Sequence, residues 1–199
     1  GKQTTYTIED GKVVEVVGAI SQHCASTFSA AFYTESGLLE YGVDEDDVMT
    51  RFEYGAHGRR TKKIEAVGTP EQRVTTWEWD TASWDNLFGT EMQKSVTIQG
   101  ARRISYTYTA YGNNIGQAAR YSSISIQNLS SNGVSGQSRV TSFSYTRHAN
   151  GMIASVVEDG PVSGPGDQVI TRYNTSGDIV SIENALGHKR IFSGHNAFG

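Results

Sequence analysis

Apolar positions along the chain fall in short runs rather than long stripes. No stretch of about a dozen residues places apolar side chains at i, i+3, i+4 and i+7, the mark of an amphipathic helix. Instead, segments rich in Val, Ile, Thr, Tyr, Phe and Trp alternate with polar residues and are cut by Gly, Asn and Asp. Side chains branched at Cβ or carrying rings fit a pleated, half-buried surface, and glycine supplies the positive φ of tight turns. The pattern predicts an all-β chain: tandem β-hairpins forming a curved antiparallel ribbon, with marginal helix.

One unit recurs: an aromatic residue at a strand end, a turn, a Gly, then a short apolar strand. Its ring–glycine pairs are Tyr6…Gly11, Tyr33…Gly37, Tyr54…Gly58, Trp79…Gly89, Tyr108…Gly112, Tyr145…Gly151 and Tyr173…Gly177, with His195…Gly199 a partial eighth. The glycines lie 26, 21, 31, 23, 39, 26 and 22 residues apart, and the two longest spacings hold insertions. One insertion, 81–88, carries Trp84; the other, 128–139, is a Ser/Asn/Gly run expected to be an exposed loop. Residues 18–32 fall outside the repeat and read as a longer connection plus a strand. Turn-rich linkers are expected at 67–70, 158–167 and 184–187.

Each half of the unit has a physical reason. Phe52/Tyr54, Trp77/Trp79, Tyr106/Tyr108 and Phe143/Tyr145 are each two apart, so both rings of a pair share a strand face. Such rings are expected to stack across strands into a ladder. Beyond the glycines, Val13 and Val16, Ile153 and Val156, and Ile179 and Ile182 stand two and five residues on. On a flat strand a separation of three puts them on opposite faces. Either both faces are partly buried or a bulge realigns them.

Composition narrows the class. The chain has 199 residues, 37% apolar and 10% aromatic, too ring-rich for a disordered segment. Glycine numbers 22, Ser and Thr together 40, and Pro only 3, as turn-dense β-structure requires. No apolar run approaches the roughly 18 residues of a membrane-spanning helix, and Gly1–Thr5 is too polar for a signal peptide. A net charge of −4 argues against a nucleic-acid surface. Cys24 is the only cysteine, so no intrachain disulfide forms.

The segment from Thr171 to Phe192, with Tyr173, Gly177, Ile182 and the Asn184-Ala-Leu-Gly187 turn, resembles the RHS or YD repeat. Arg51–Arg59 and Thr76–Asp80 resemble it too, although the eponymous Asp is present only at Asp80. Gly55, Thr109, Thr146 and Asn174 replace it elsewhere. The resemblance covers nearly the whole chain. It implies a strip of a hollow spiral shell, as found in bacterial polymorphic toxins, insecticidal toxin complexes and large cell-surface proteins. By that resemblance residues 1–199 form one segment of about seven units, part of a much longer secreted or surface-exposed protein. Its partners would be the remaining repeats and an enclosed C-terminal domain of the same polypeptide. The family's autoproteolytic core segment has no counterpart here, so no catalytic residue carries over. Strands cut from a shell would also expose edges prone to self-association.

Candidate chemistry is sparse. The run Asp44-Glu-Asp-Asp47 lacks the spacing of a calcium loop and reads as a solvated turn. Glu78 and Asp80, with Asp85 nearby, miss the third acid of one glycosidase arrangement, since position 83 is Ser. The five histidines are scattered, and Cys24 beside His23 carries no nucleophile signature. Arg59-Arg-Thr-Lys-Lys63 and Arg102-Arg103 read as solvent-facing charge. No phosphate loop or dinucleotide fingerprint suggests a cofactor. Trp77, Trp79, Trp84 and Tyr111 are the rings best suited to a glycan platform, against packing within the ribbon.

Overall fold

The computed structural model describes residues 4–18, 30–80, 92–111 and 118–195. Their strands are β1 (Thr4–Glu9), β2 (Lys12–Gly18), β3 (Ala30–Tyr33), β4 (Leu39–Val43), β5 (Met49–Tyr54), β6 (Arg60–Glu65), β7 (Arg73–Asp80) and β8 (Met92–Ile98). Then follow β9 (Arg102–Tyr111), β10 (Ala118–Asn128), β11 (Ser138–Arg147), β12 (Ile153–Asp159), β13 (Val169–Tyr173), β14 (Ile179–Asn184) and β15 (Lys189–Ile191). The only helical turn among the described residues is a 3-10 turn at Pro165–Asp167. Strand order in the sheet is the order of the chain, an all-β antiparallel run of consecutive hairpins. Contacts group the chain into two units, Gly1–Glu78 with Val96–Gln99, and Trp79–Ser95 with Gly100–Gly199.

The hairpin turns repeat one design. Thr34 N–H donates to Leu38 O (2.8 Å) and Gly37 N–H to Thr34 O (2.8 Å). The pairs Gly55–Arg59 with Gly58, His148–Met152 with Gly151, and Asn174–Asp178 with Gly177 copy this. It is the three-residue hairpin loop, whose last residue sits in the left-handed region. Gly37, Gly58, Gly151 and Gly177 have φ of 81°, 71°, 85° and 95°, where a Cβ would be strained. The β1–β2 turn is shorter: Asp10 and Gly11, at φ 47° and 75°, form the mirror-image two-residue turn that suits Asp-Gly.

A bulge follows every one of these glycines at the same distance. Register skips Val14, Glu40, Thr61, Ala154 and Val180, each the third residue beyond Gly11, Gly37, Gly58, Gly151 or Gly177. An extra residue restores the alternation that a separation of three would break. Thus Val13 and Val16 face Ile8 and Tyr6, while Ile153 and Val156 face Arg147 and Tyr145. Ile179 and Ile182 likewise face Tyr173 and Thr171. The bulge is the answer to the odd spacing.

Little is deeply buried. Phe52, 6% exposed, is the one buried apolar side chain among the described residues. In the first unit Phe52 lies opposite Lys63, with Tyr54 opposite Arg60. In the second, Ile104, Tyr106 and Tyr108 oppose Ile126, Ile124 and Tyr121 on one face. The other face there is hydroxyl-rich, with Ser105 opposite Ser125 and Thr107 opposite Ser123. Those hydroxyls bond one another: Thr107 Oγ1 lies 2.7 Å from Ser123 Oγ, and Thr146 Oγ1 2.6 Å from Ser155 Oγ.

Candidate functional site

The repeat aromatics occupy successive odd strands: Tyr6 on β1, Tyr33 on β3, Tyr54 on β5, Trp79 on β7, Tyr108 on β9, Tyr145 on β11 and Tyr173 on β13. Tyr33, Tyr54 and Tyr173 end their strands, whereas the strands run on past Tyr6, Tyr108 and Tyr145 by two or three residues. Gly112, Gly89, Trp84, Cys24 and the C-terminal Gly199 lie outside the described residues, as does the side chain of Tyr111.

Four of these rings join hairpins. In the first unit Tyr33 Oη donates to Val13 O (3.0 Å) and Tyr54 Oη to Leu39 O (2.7 Å). Val13 and Leu39 are both the second residue after a turn glycine. The β4–β5 ladder ends at Tyr41 opposite Arg51, so Leu39 lies beyond it and the phenol reaches across the fork. Among the described residues the β2–β3 ladder is a single pair, Glu15 opposite Ala30. Both forks leave clefts of about 570 Å³, one bordered by Lys12, Tyr33 and Glu35, the other by Leu38, Phe52 and Tyr54. In the second unit Tyr108 Oη donates to Gln93 O and Tyr145 Oη to Tyr121 O, each at 2.8 Å. Such a bond contributes about 0.5–1.5 kcal/mol.

A second contact reinforces the joint. A Cβ added to Gly37 would meet Lys12 Nζ at 2.7 Å, on Gly58 it would meet Leu38 Cδ1 at 3.5 Å, and on Gly177 Met152 Cε at 3.1 Å. Lys12, Leu38 and Met152 each directly follow the previous turn glycine. In these three cases a turn lays a side chain over the glycine of the next. His148 Nε2 (2.9 Å from Tyr173 O) and Asn150 Nδ2 (2.8 Å from Thr175 O) tie the same pair of turns in the second unit.

Repeat aromatics sit on alternate strands, about 9.6 Å apart at roughly 4.8 Å per strand, too far to stack. In the first unit a side chain of the intervening strand fills one such gap. Arg60 places its guanidinium 4.8 Å from the Phe52 ring centroid and 5.6 Å from that of Trp77. In the second unit rings meet across adjacent strands: Tyr121 on β10 lies 5.6 Å from Tyr106 and 5.1 Å from Tyr108, both on β9. Trp77, a glycan-platform candidate, thus already has a cation against its ring, and Trp79 holds an interaction of its own. Phe32 stacks on Tyr41 at 4.3 Å, a pair outside the repeat set.

Electrostatics are mild. Burial pushes the Tyr108 phenol up to about 12, helped by neighbouring Tyr121 and Tyr106. Tyr106 and Tyr145 rise for the same first cause. Asp44 Oδ1 accepts N–H from Asp46 (3.0 Å) and Val48 (2.9 Å), so it caps a hairpin turn in which Asp47 takes the glycine position at φ 58°. Lys62 pairs with Glu53 and Lys63 with Glu65. Arg103 Nη2 reaches Ser95 Oγ, which is 1% exposed, at 3.5 Å. Glu78 and Asp80 each hold an interaction on β7, and Asp85 lies outside the described residues. Among the described residues no group of three His, Cys, Asp or Glu side chains is arranged to hold a metal ion. No helix among them is long and apolar enough to cross a membrane.

Sequence reasoning missed the residues that open the turns. Thr34 Oγ1, Asn174 Oδ1 and Asn184 Oδ1 accept N–H from the residue four ahead, as Asp44 does. The signal was there: Thr, Asp or Asn three residues before the left-handed position. Comparison with known protein families and with curated proteins finds no match to this chain. Its role is therefore argued from the hairpins themselves.

Proposed function

We propose that the chain is a non-catalytic structural repeat module of a large secreted or surface bacterial protein, a strip of wall like the RHS/YD-repeat shell that encloses a C-terminal toxin. The observation that carries this reading is the recurrent joint. Turn glycine, bulge three residues on, phenol on a carbonyl and side chain over the next glycine recur from hairpin to hairpin within a unit. Residues spent on holding one hairpin to the next are what a wall needs, because each repeat is stabilised chiefly by its neighbours.

The test is the natural full-length polypeptide. It is expected to carry further ring–glycine units and an unrelated C-terminal segment that resists protease until the repeats are unfolded. A full-length protein in which the repeats stop at those described, with its C-terminal segment freely cut, overturns the proposal. The rival reading is a glycan-binding surface using Trp77, Trp79 and Trp84. Measurable glycan affinity lost in Trp77→Ala, Trp79→Ala or Trp84→Ala would favour it, though the Arg60 guanidinium against Trp77 speaks for packing.

A further inference from the structure

We propose that Asn132 is a site of spontaneous deamidation, converting to isoaspartate and aspartate, whereas Asn150 is protected by the fold. Both precede a glycine, Gly133 and Gly151, whose backbone nitrogen no side chain shields. In the reaction that nitrogen loses its proton to solvent base and attacks Asn Cγ. Ammonia leaves, a succinimide ring closes, and water opens it at either carbonyl.

At Asn150 every participating group is held. Oδ1 accepts Met152 N–H at 3.1 Å, Nδ2 donates to Thr175 O at 2.8 Å, and Gly151 N–H donates to His148 O at 3.0 Å. Attack requires breaking all three, so it waits on local opening of two adjoining turns. Asn132 stands in the exposed 131–137 stretch, and its side-chain amide and the Gly133 N–H make no hydrogen bond to a described residue. Only its carbonyl is fixed, by Asn128 Nδ2 at 2.8 Å and Ser130 Oγ at 3.2 Å. The reactive atoms are free while the loop around them is ordered.

The product alters this loop. Isoaspartate routes the main chain through Cγ and displaces the carbonyl that Asn128 and Ser130 hold, and the new carboxylate takes the net charge from −4 to −5. Asn128 also accepts Ser130 N–H and closes the loop through its own backbone to Gln137 and Gly136. The change strikes the centre of that network.

Incubation of the folded protein in mildly alkaline buffer, with peptide mapping that separates isoaspartate from aspartate, tests this against a denatured control. Conversion at Asn132 is expected at least about tenfold faster than at Asn150 in the folded chain, with the two rates converging in denaturant. Asn132→Gln should remove the product from that peptide and leave the Asn150 rate unchanged. Equal or faster conversion at Asn150 in the folded chain overturns the proposal. So does an Asn132 that converts only after denaturation.

Discussion

Replacing Tyr54 by Phe removes one hydroxyl and nothing else from the joint between two hairpins. That hydroxyl donates to Leu39 O at 2.7 Å, across a fork where the β4–β5 ladder has ended. Loss of a half-buried neutral bond of this length costs about 1 kcal/mol, within a usual span of roughly 0.5–1.5. For a chain of this length about 1 kcal/mol lowers the melting midpoint by roughly 2–4 °C if unfolding is a single transition. The sharper readout is local. Hydrogen bonds in a repeat array open in neighbouring units, so the cost should fall on the turns that the phenol joins. Native-state hydrogen exchange at the Gly37, Gly55 and Gly58 amides should accelerate about fivefold, the ratio that 1 kcal/mol sets. Amides of the β13–β14 hairpin, such as Gly177 and Asn174, should keep their rates. Unchanged exchange at 37–58 would show that the phenol holds nothing; equal acceleration at 174–177 would refute the neighbour-only reasoning.

Three further outcomes follow from other residues. Arg60→Ala removes the guanidinium between Phe52 and Trp77 and should cost about 1 kcal/mol with a shift in tryptophan emission, while Arg60→Lys, lacking the planar group, should recover less than half. An unchanged emission in Arg60→Ala would refute the sandwich. Asp47→Gly should stabilise by about 0.5 kcal/mol in denaturant titration, since Asp47 holds φ 58° where glycine is unstrained, and a loss of stability would mean its carboxylate matters more than its backbone. Tyr108 titrates higher folded than free, so its neutral form favours the fold: that contribution is whole below pH about 10 and fades as pH climbs toward about 12. Across that window phenolate absorbance should rise as stability falls, and Tyr108→Phe should flatten the loss.

The all-β hairpin order was legible because its signals are local. Ring pairs two apart mark strands, and Asp-Gly or Asn-x-x-Gly marks a reversal whatever lies elsewhere in the chain. The bulges were legible only as a puzzle. That Val13 and Val16 share a face depends on Val14 being skipped against Thr7 and Ile8, which is a fact of register between two strands. The phenol contacts were hidden for a similar reason: Tyr54 and Leu39 are 15 residues apart and meet only once two hairpins lie side by side. Asp44–Asp47 was legible as a solvated turn, but not its internal roles. Its charges drew attention, yet Asp44 caps and Asp47 turns as Thr34 and Gly37 do in the preceding hairpin.

The spacing of the rings explains why the intervening strand matters more than the aromatics alone suggest. Rings on alternate strands lie about 9.6 Å apart, and in the first unit contact across a hairpin runs through the residue two beyond the turn glycine. In the first unit that residue is Val13, Leu39 or Arg60. It lends its carbonyl to the next tyrosine in two cases and its side chain to two rings in the third. A longer, charged residue there widens reach, and an aliphatic one leaves the bond to the backbone. In these three hairpins the same position therefore varies in side chain while a contact persists, through the carbonyl in two and the side chain in one, at a fixed place after a glycine that turns and before a residue that bulges. Degenerate sequence and regular architecture are compatible on those terms: the repeat is written in backbone geometry, which few side chains have to specify.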